Sequence, residues 1–300
     1  MTRNARNGFS VFFQGEALRR LEQAVDLALD EDGPDLTAMA VFAEEDVMLA
    51  RIVAKEETLA AGLPIASLVL DRLGAAARCD VRYLAEEGAL IPKGTTAVRI
   101  HGPARVLLKA ERVMLNFICH LSGVANLTSR YVAALAGTKT RLLDTRKTLP
   151  GLRYPEKYAV LVGGGVNHRK NLAEMLMLKD NHVDRAGGVG AAIMALRNTY
   201  RDSMESMPPV EVECRCLDEV LEAVALSPSR IMLDNMDEAA MAEALSRIPE
   251  GIETEISGGV SIGALPRLAR LGADFISVGR ITHSAPYADF SMQLEMNEAS

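Results

Sequence analysis

Apolar residues recur along the first third of the chain at two different intervals. Leu18, Leu21, Val25 and Leu29 lie three or four positions apart, which predicts an amphipathic helix over about 16–30. The other elements predicted for this region are strands Val47–Ala54, Val81–Leu84 and Thr95–Ile100, helix Ile65–Leu73, and a helical stretch over 104–136 that breaks at Gly123. This mixture indicates a small α+β unit over about 1–110.

From residue 140 onward, short apolar runs alternate with segments of helix length. The apolar runs are Leu142-Leu143, Met175–Leu178, Val210–Val212, Ile231–Leu233, Thr254–Ile256 and Phe275–Val278. The helical segments are predicted over about 187–203, 217–226, 237–247 and 262–271. Strands that alternate with helices form parallel sheets, and six strands approach the number that closes an α/β barrel.

Each apolar run ends in polar, charged or glycine residues. In chain order these ends are Asp144-Thr145-Arg146-Lys147-Thr148, Lys179-Asp180-Asn181-His182, Glu213, Asp234-Asn235, Ser257-Gly258-Gly259 and Gly279-Arg280. Parallel strands of a barrel present their C-terminal ends at one rim, which is where α/β barrels build active sites. The pattern therefore predicts a functional rim.

Composition and charge narrow the classes of function. The chain has 300 residues, of which 49% are apolar and 24% charged, and these proportions exclude a disordered or fibrous protein. A net charge of −7, no Trp and 4% aromatic residues argue against binding to nucleic acid or to an anionic membrane. Without a membrane-length apolar run or a cysteine framework, the sequence predicts a soluble, cytoplasmic protein.

The acidic average hides a basic segment at residues 141–185, which carries nine Lys or Arg against five Asp or Glu. Such a segment is typical of a site for a small polyanion, although a solvated basic face is the alternative. Glycine-containing turns at Gly163-Gly164-Gly165, Ser257-Gly258-Gly259 and Gly279 can bring backbone N–H groups close to an anion.

Four side chains at the predicted rim can carry chemistry. Glu213 and Asp234 end neighbouring strands, where carboxylates hold sugar hydroxyls, bind Mg²⁺ or stabilise an oxocarbenium-like centre. Lys147 and Lys179 can form a Schiff base, as in aldolases, or act as electrostatic clamps on an anion.

In this order, these motifs resemble the quinolinate phosphoribosyltransferase family over about residues 18–292. The resemblance is carried by 144–153, 156–160, 163–169, 178–182, 210–213, 231–235, 257–260, 277–279 and 282–284, with upstream matches at 33–37, 111–112, 115–116 and 121–125. It implies an α/β fold in which an N-terminal α/β sandwich domain precedes an incomplete, open α/β barrel with six to seven parallel strands. The expected domains are 1–114, joined by C-terminal residues 288–300, and 115–287 for the barrel.

The resemblance also implies a reaction. The enzyme transfers the phosphoribosyl group of phosphoribosyl pyrophosphate (PRPP) to quinolinate with decarboxylation. The products are nicotinate mononucleotide, pyrophosphate and CO₂, in de novo NAD biosynthesis. Mg²⁺ accompanies PRPP and no organic cofactor is expected. A homodimer or a dimer-based higher oligomer is expected, with each active site completed by the partner's N-terminal domain.

The family's site residues carry over onto matching positions of this chain. The expected catalytic residues are Lys147, Lys179, Glu213 and Asp234, and the last two are also the expected Mg²⁺ ligands, through PRPP or water. The expected substrate-binding residues are Arg112, Arg146, His168, Arg169, Ser257, Gly258, Gly259, Gly279 and His283, with Lys55 reaching in from the partner subunit.

The chain departs from the family pattern at a few positions. Lys55 stands where the family usually has Arg, and it keeps the positive charge but lacks the planar fork that binds a carboxylate with two hydrogen bonds. Arg280 stands where a small residue is common, beside the expected phosphate site.

Three other functions remain as alternatives. A molybdenum-associated pyrophosphorylase-like paralogue shares the fold but lacks the signatures Asn167-His168-Arg169 and Lys179-Asp180-Asn181-His182, which are present here. A Schiff-base aldolase would use Lys179, and borohydride trapping would reveal it. A non-catalytic binding protein is disfavoured because the rim carboxylates and lysines are all retained.

Overall fold

A computed structural model describes residues 4–201 and 207–296. The chain divides into two compact units, the first drawn from Met1–Ser129, Thr148–Gly164 and Ile281–Ser300 and the second from Arg130–Lys147 and Gly165–Arg280. The predicted domain boundaries at 114/115 and 287/288 stay predictions.

The described residues form twelve strands and twelve α-helices. The strands are β1 (Val47–Ala54), β2 (Thr58–Leu59), β3 (Asp80–Tyr83), β4 (Leu90–Ile91), β5 (Thr96–Pro103), β6 (Arg141–Leu143), β7 (Leu176–Leu178), β8 (Val210–Cys214), β9 (Arg230–Asp234), β10 (Glu253–Ser257), β11 (Phe275–Ser277) and β12 (Phe290–Met296). The helices are α1 (Asn4–Phe12), α2 (Gly15–Asp32), α3 (Leu36–Val41), α4 (Ile65–Arg72), α5 (Ala104–Ala133), α6 (Arg153–Val162), α7 (Asp180–Ala186), α8 (Val189–Arg201), α9 (Leu217–Ala225), α10 (Glu238–Arg247), α11 (Leu265–Ala269) and α12 (Arg280–His283).

The first unit is built on a four-stranded antiparallel sheet in the order β12-β1-β5-β3. Alternate side chains of β1 point inward. Met48, Ala50 and Ile52 are buried, whereas Val47 is exposed. Helix α2 packs against α4 and α6, and its buried stripe contains Leu21 and Val25, whose side chains are both fully enclosed. The predicted α/β sandwich is confirmed.

The long helix α5 corrects one prediction, because it runs from Ala104 to Ala133 without a break at Gly123. A Cβ at Gly123 would lie 2.0 Å from the carbonyl oxygen of Pro286, so glycine is needed there for a close approach of two backbones. The glycine therefore serves packing between segments and does not end the helix.

The second unit is built on a six-stranded parallel sheet in the order β6-β11-β10-β9-β8-β7. All six apolar runs of the sequence form these strands, because strands buried on both faces read as continuous apolar segments. Among the described residues no hydrogen-bonded ladder joins the two edge strands β6 and β7, so the barrel is open between them. Val166 forms a single parallel bridge to Leu143 of β6. The predicted open barrel is confirmed with six strands.

None of the described helices has the length and apolar character that a membrane crossing requires.

Candidate active site

The strand ends of the second unit bring most of the predicted rim residues to one edge. Glu213 and Asp234 lie on adjacent strands β8 and β9, and Asp234 is paired in register with Ser257 of β10. Lys179 directly follows β7, and Gly279 lies two residues beyond the end of β11. The parallel topology places these residues together, as the sequence predicts.

A pair of opposite charges joins the ends of the adjacent strands β7 and β8. The ammonium Nζ of Lys179 is 2.7 Å from Oε2 of Glu213, whose side chain is only 11% exposed. Lys179 also begins α7, where its backbone N–H donates to Nδ1 of His182 at 3.0 Å. Helix α7 was not predicted, and its start fixes the point from which the lysine side chain extends toward Glu213.

The Asp234 carboxylate is fixed by its neighbour in the chain. Asn235 adopts a left-handed conformation (φ 54°), its amide Nδ2 donates to Oδ2 of Asp234 at 2.6 Å, and its backbone N–H donates to the carbonyl of Ser257 at 3.2 Å. Gly258 (φ 101°) lies so close that a Cβ would be 2.7 Å from the backbone nitrogen of Asn235. The Asp234 carboxylate and the glycine turn at Gly258 are therefore held in fixed positions relative to each other.

A buried carboxylate holds the glycine-rich segment against β6. Asp144 is fully buried, and its two oxygens accept Nδ2 of Asn167 at 2.8 Å and the backbone N–H of His168 at 2.7 Å. The Val166 N–H donates to the carbonyl of Leu142 at 2.8 Å. These hydrogen bonds hold the segment 166–168 beside β6, and the residues His168 and Arg169 are both buried.

Two guanidinium groups of the second unit lie near each other. Arg169 is buried, and its Nη1 donates to the carbonyl of Met175 at 2.9 Å. Burial and the charge of Arg146 both lower the pKa of Arg169. Because two like charges are held together at the buried edge of this unit, the pair favours an anionic ligand.

Sequence reasoning gave no role to a charged cluster inside the barrel. It contains Glu211 and Glu255, which both lie near Nε2 of His168, and Arg230, which pairs with Glu255. Burial and the neighbouring Glu211 raise the pKa of Glu255 to about 8, and burial raises the pKa of Glu211. The available signal was the alternation Val-Glu-Val-Glu in β8, since a strand turns residues 211 and 213 to the same face.

The remaining predicted site residues differ in setting. Lys147 is exposed, and its backbone N–H donates to Oγ1 of Thr145 at 3.0 Å. Arg112, Lys55 and His283 belong to the first unit, where all three are exposed, and Nδ1 of His283 lies 2.6 Å from Oγ of Ser284. Their roles stay predictions.

Comparison with known proteins identifies the family of this chain. Residues 35–122 match the family model of the quinolinate phosphoribosyl transferase N-terminal domain, and residues 124–293 match that of its C-terminal domain. The chain belongs to the quinolinate phosphoribosyltransferase family. The resemblance read from the motifs is thereby confirmed.

Curated relatives and solved structures agree with this membership. The chain is 39% identical to nicotinate-nucleotide pyrophosphorylase (carboxylating) of Mycobacterium leprae over 274 residues, which cover 89% of this chain and 94% of the relative. It is 41% identical over 251 residues to a probable nicotinate-nucleotide pyrophosphorylase (carboxylating) of Synechocystis, covering 83% of each chain. NadC from Streptococcus pyogenes superposes with a TM-score of 0.86 at 37% identity, covering 93% of this chain and 97% of the other.

Proposed function

We propose that the chain transfers the phosphoribosyl group of PRPP to quinolinate with loss of CO₂, giving nicotinate mononucleotide and pyrophosphate. The observation that carries the proposal is the rim of the second unit, where lysines, carboxylates and glycine turns follow successive strand ends in a family of pentosyltransferases. Both proposed substrates suit the basic segment at residues 141–185, since quinolinate is a dicarboxylate and PRPP a polyphosphate.

The two neighbouring guanidinium groups fit quinolinate. Arg146 and Arg169 can each bind a carboxylate with two hydrogen bonds, and a dianion between them relieves their mutual repulsion. Binding in a fixed pose then holds the ring nitrogen toward the ribose carbon that it attacks.

The carboxylates of β8 and β9 fit the ribose. As the bond to pyrophosphate loosens, the ribosyl centre becomes cationic, and Glu213 and Asp234 stabilise that charge at the rim. Lys147 and Lys179 stabilise the departing pyrophosphate, while the turn Ser257-Gly258-Gly259 and Gly279 receive the 5′-phosphate. When the adjacent carboxylate leaves as CO₂, the electron pair of the broken bond stays on the ring carbon, where the positive charge of the quaternised nitrogen stabilises it until that carbon takes a proton from solvent.

The donor set at this rim also fits Mg²⁺. Glu213 and Asp234 offer hard carboxylate oxygens on adjacent strands, and Mg²⁺ is commonly held by one or two carboxylates together with substrate phosphates. When bound with PRPP, the ion would neutralise charge on the pyrophosphate group.

The decisive assay incubates the protein with carboxyl-labelled quinolinate, PRPP and Mg²⁺ and counts released CO₂. Release should depend on PRPP and should be lost in Lys147→Ala and Glu213→Ala. Arg247→Ala is the control, because that exposed arginine pairs with Glu243 on the surface of α10. No release from the wild-type protein, with nicotinate also refused, would reject the proposed activity.

The proposed assembly is a cytoplasmic homodimer in which Lys55 serves the partner's site. Co-expression of Lys55→Ala with Lys147→Ala tests this directly. If the two residues act in one shared site, hybrid dimers contain one intact site and restore about a quarter of the wild-type activity. Mixtures that stay inactive, while each parent variant is inactive alone, would show that both residues serve the same subunit.

A further inference from the structure

Two carboxylates inside the barrel have no place in the reaction described above. Glu211 and Glu255 are fully buried. Glu211 precedes Glu213 by two residues on β8, which sets it about 7 Å deeper along the strand. Burying a charge costs several kcal/mol unless neighbouring groups compensate, so this placement requires a reason.

The ring of His168 supplies the first part of that reason. Its Nδ1 lies 2.6 Å from the backbone nitrogen of Arg169, which donates its N–H to it. The ring proton therefore resides on Nε2, and Nε2 lies 2.9 Å from Oε2 of Glu211 and 3.6 Å from Oε2 of Glu255. The Arg169 N–H thus fixes the tautomer of the ring, and the two carboxylates place negative charge beside its Nε2 edge.

The charge of Arg169 supplies the second part. Glu211 raises the pKa of Arg169, opposing the effects of burial and of Arg146. One buried carboxylate therefore lies beside the ring that accepts the Arg169 N–H, and its charge favours the charged form of the Arg169 guanidinium.

Resting on the proposed function, we propose that Glu211, supported by Glu255, is a positioning residue that sets His168 and Arg169 for binding of the dicarboxylate substrate. His168 then accepts the Arg169 N–H at Nδ1, lies with Nε2 beside Glu211, and thereby orients Arg169. Such a carboxylate–histidine pair follows the same logic as the outer partners that orient histidine ligands at metal sites.

The same three side chains have the composition of a metal site, but the structure favours an internal cation. Ligand atoms of His168, Glu211 and Glu255 lie within 4.8 Å of one another. Nη1 of Arg230 lies 3.3 Å from Oε2 of Glu255, and its remaining nitrogens donate to Glu253. The Arg230 guanidinium thus already supplies positive charge to the two acids.

The test compares Glu211→Gln with Glu253→Gln. Glu253 pairs with Arg230 at 2.7 Å, but its side chain is 48% exposed, whereas Glu211 is buried beside His168. Glu211→Gln should raise the Kd and KM for quinolinate about 10- to 100-fold while leaving the KM for PRPP unchanged, as expected when an orienting partner is lost. Glu253→Gln should leave both constants unchanged. Equal effects of the two variants, or no effect of Glu211→Gln on quinolinate binding, would overturn the proposal.

A spectroscopic readout separates this proposal from the proposed function. Ring nitrogen-15 NMR without substrates should show the Nε2–H tautomer of His168 in the wild type and in Glu253→Gln, and an altered ring signal in Glu211→Gln. An unaltered signal would overturn the link between Glu211 and His168, whatever the enzyme's substrate. If Glu211→Gln does not fold, Glu255→Gln, at the longer 3.6 Å distance, takes its place with a smaller expected shift. A stoichiometric metal ion removed by chelation would assign the cluster to metal binding instead.

Discussion

Nζ of Lys179 lies 2.7 Å from Oε2 of Glu213, and the two residues come from adjacent strands of the barrel. Before substrate binds, each side chain is therefore held at the rim by the other. A substrate anion that approaches Lys179 and a ribose that approaches Glu213 would meet groups already in place, so little reorganisation is needed during the reaction.

Replacement of either member of this pair should lower kcat. Lys179→Met and Glu213→Gln should each reduce kcat about 100-fold, as expected when one preorganised electrostatic group is removed. The double variant should be less impaired than the product of the single effects, because the two groups act as a unit. Steady-state kinetics of the four proteins measure this, with Glu243→Gln on the surface of α10 as the control. Fully multiplicative effects would show that the pair does not act together.

Alanine substitutions at the two glycines of the turn after β10 should differ in their effect on the KM for PRPP. In Gly258→Ala the new Cβ would lie 2.4 Å from Oδ1 of Asn235, at a φ of 101°, so the turn must shift and the KM for PRPP should rise about tenfold or more. Gly259→Ala has a φ of 55° but open space around its Cβ, so its effect should be smaller. Equal KM values in the two variants would contradict a close contact between this turn and Asn235.

The buried Asp144 should matter for both stability and quinolinate binding. Asp144→Asn places an amide donor against Nδ2 of Asn167 or the N–H of His168, which should lower the free energy of unfolding by about 1–3 kcal/mol and raise the KM for quinolinate. Urea unfolding and steady-state kinetics measure the two effects. Asp237→Asn is the matched control, because Asp237 caps α10 and asparagine caps a helix equally well.

In the first unit, Glu87 should make stability depend on pH. Its carboxylate accepts the backbone N–H groups of Gly62 and Leu63 and the hydroxyl of Tyr158, and burial raises its pKa from 4.5 to about 7. Between these two values the folded state binds more protons than the unfolded state. The contribution of Glu87 to the free energy of unfolding is therefore fully present below pH 4.5 and decreases as the pH rises from 4.5 to about 7.

The variant Glu87→Gln tests this dependence. It leaves one amide oxygen for three donors, so it should lower the free energy of unfolding by about 1–3 kcal/mol and remove this component of the pH slope. Urea unfolding, followed by circular dichroism at several pH values between 4.5 and about 7, measures the free energy of unfolding and its pH slope. Glu86→Gln, at the exposed neighbouring position, should keep the wild-type slope. A slope shared by all three proteins would assign the pH dependence to other groups.

Much of the fold could be predicted from local pattern. The run Val47–Ala54 forms a strand with the predicted bounds, and every apolar run after residue 140 forms a strand of the parallel sheet. Gly123 shows where local reasoning failed, since its requirement for glycine comes from Pro286, 163 positions along the chain. Helix α7 was missed because a seven-residue helix is too short to show an apolar period.

The sequence by itself determined which residues lie at the rim, because the order of strands and the polar residue at the end of each are local properties of the chain. Only the tertiary structure decided which of them meet. The contact of Lys179 with Glu213 depends on which strands are adjacent, and the contact of His168 with Glu211 depends on their register and on the shared interior of the barrel. Glu211 and Glu213 look alike in the chain, and their proposed roles differ because one lies inside the barrel and the other at its edge.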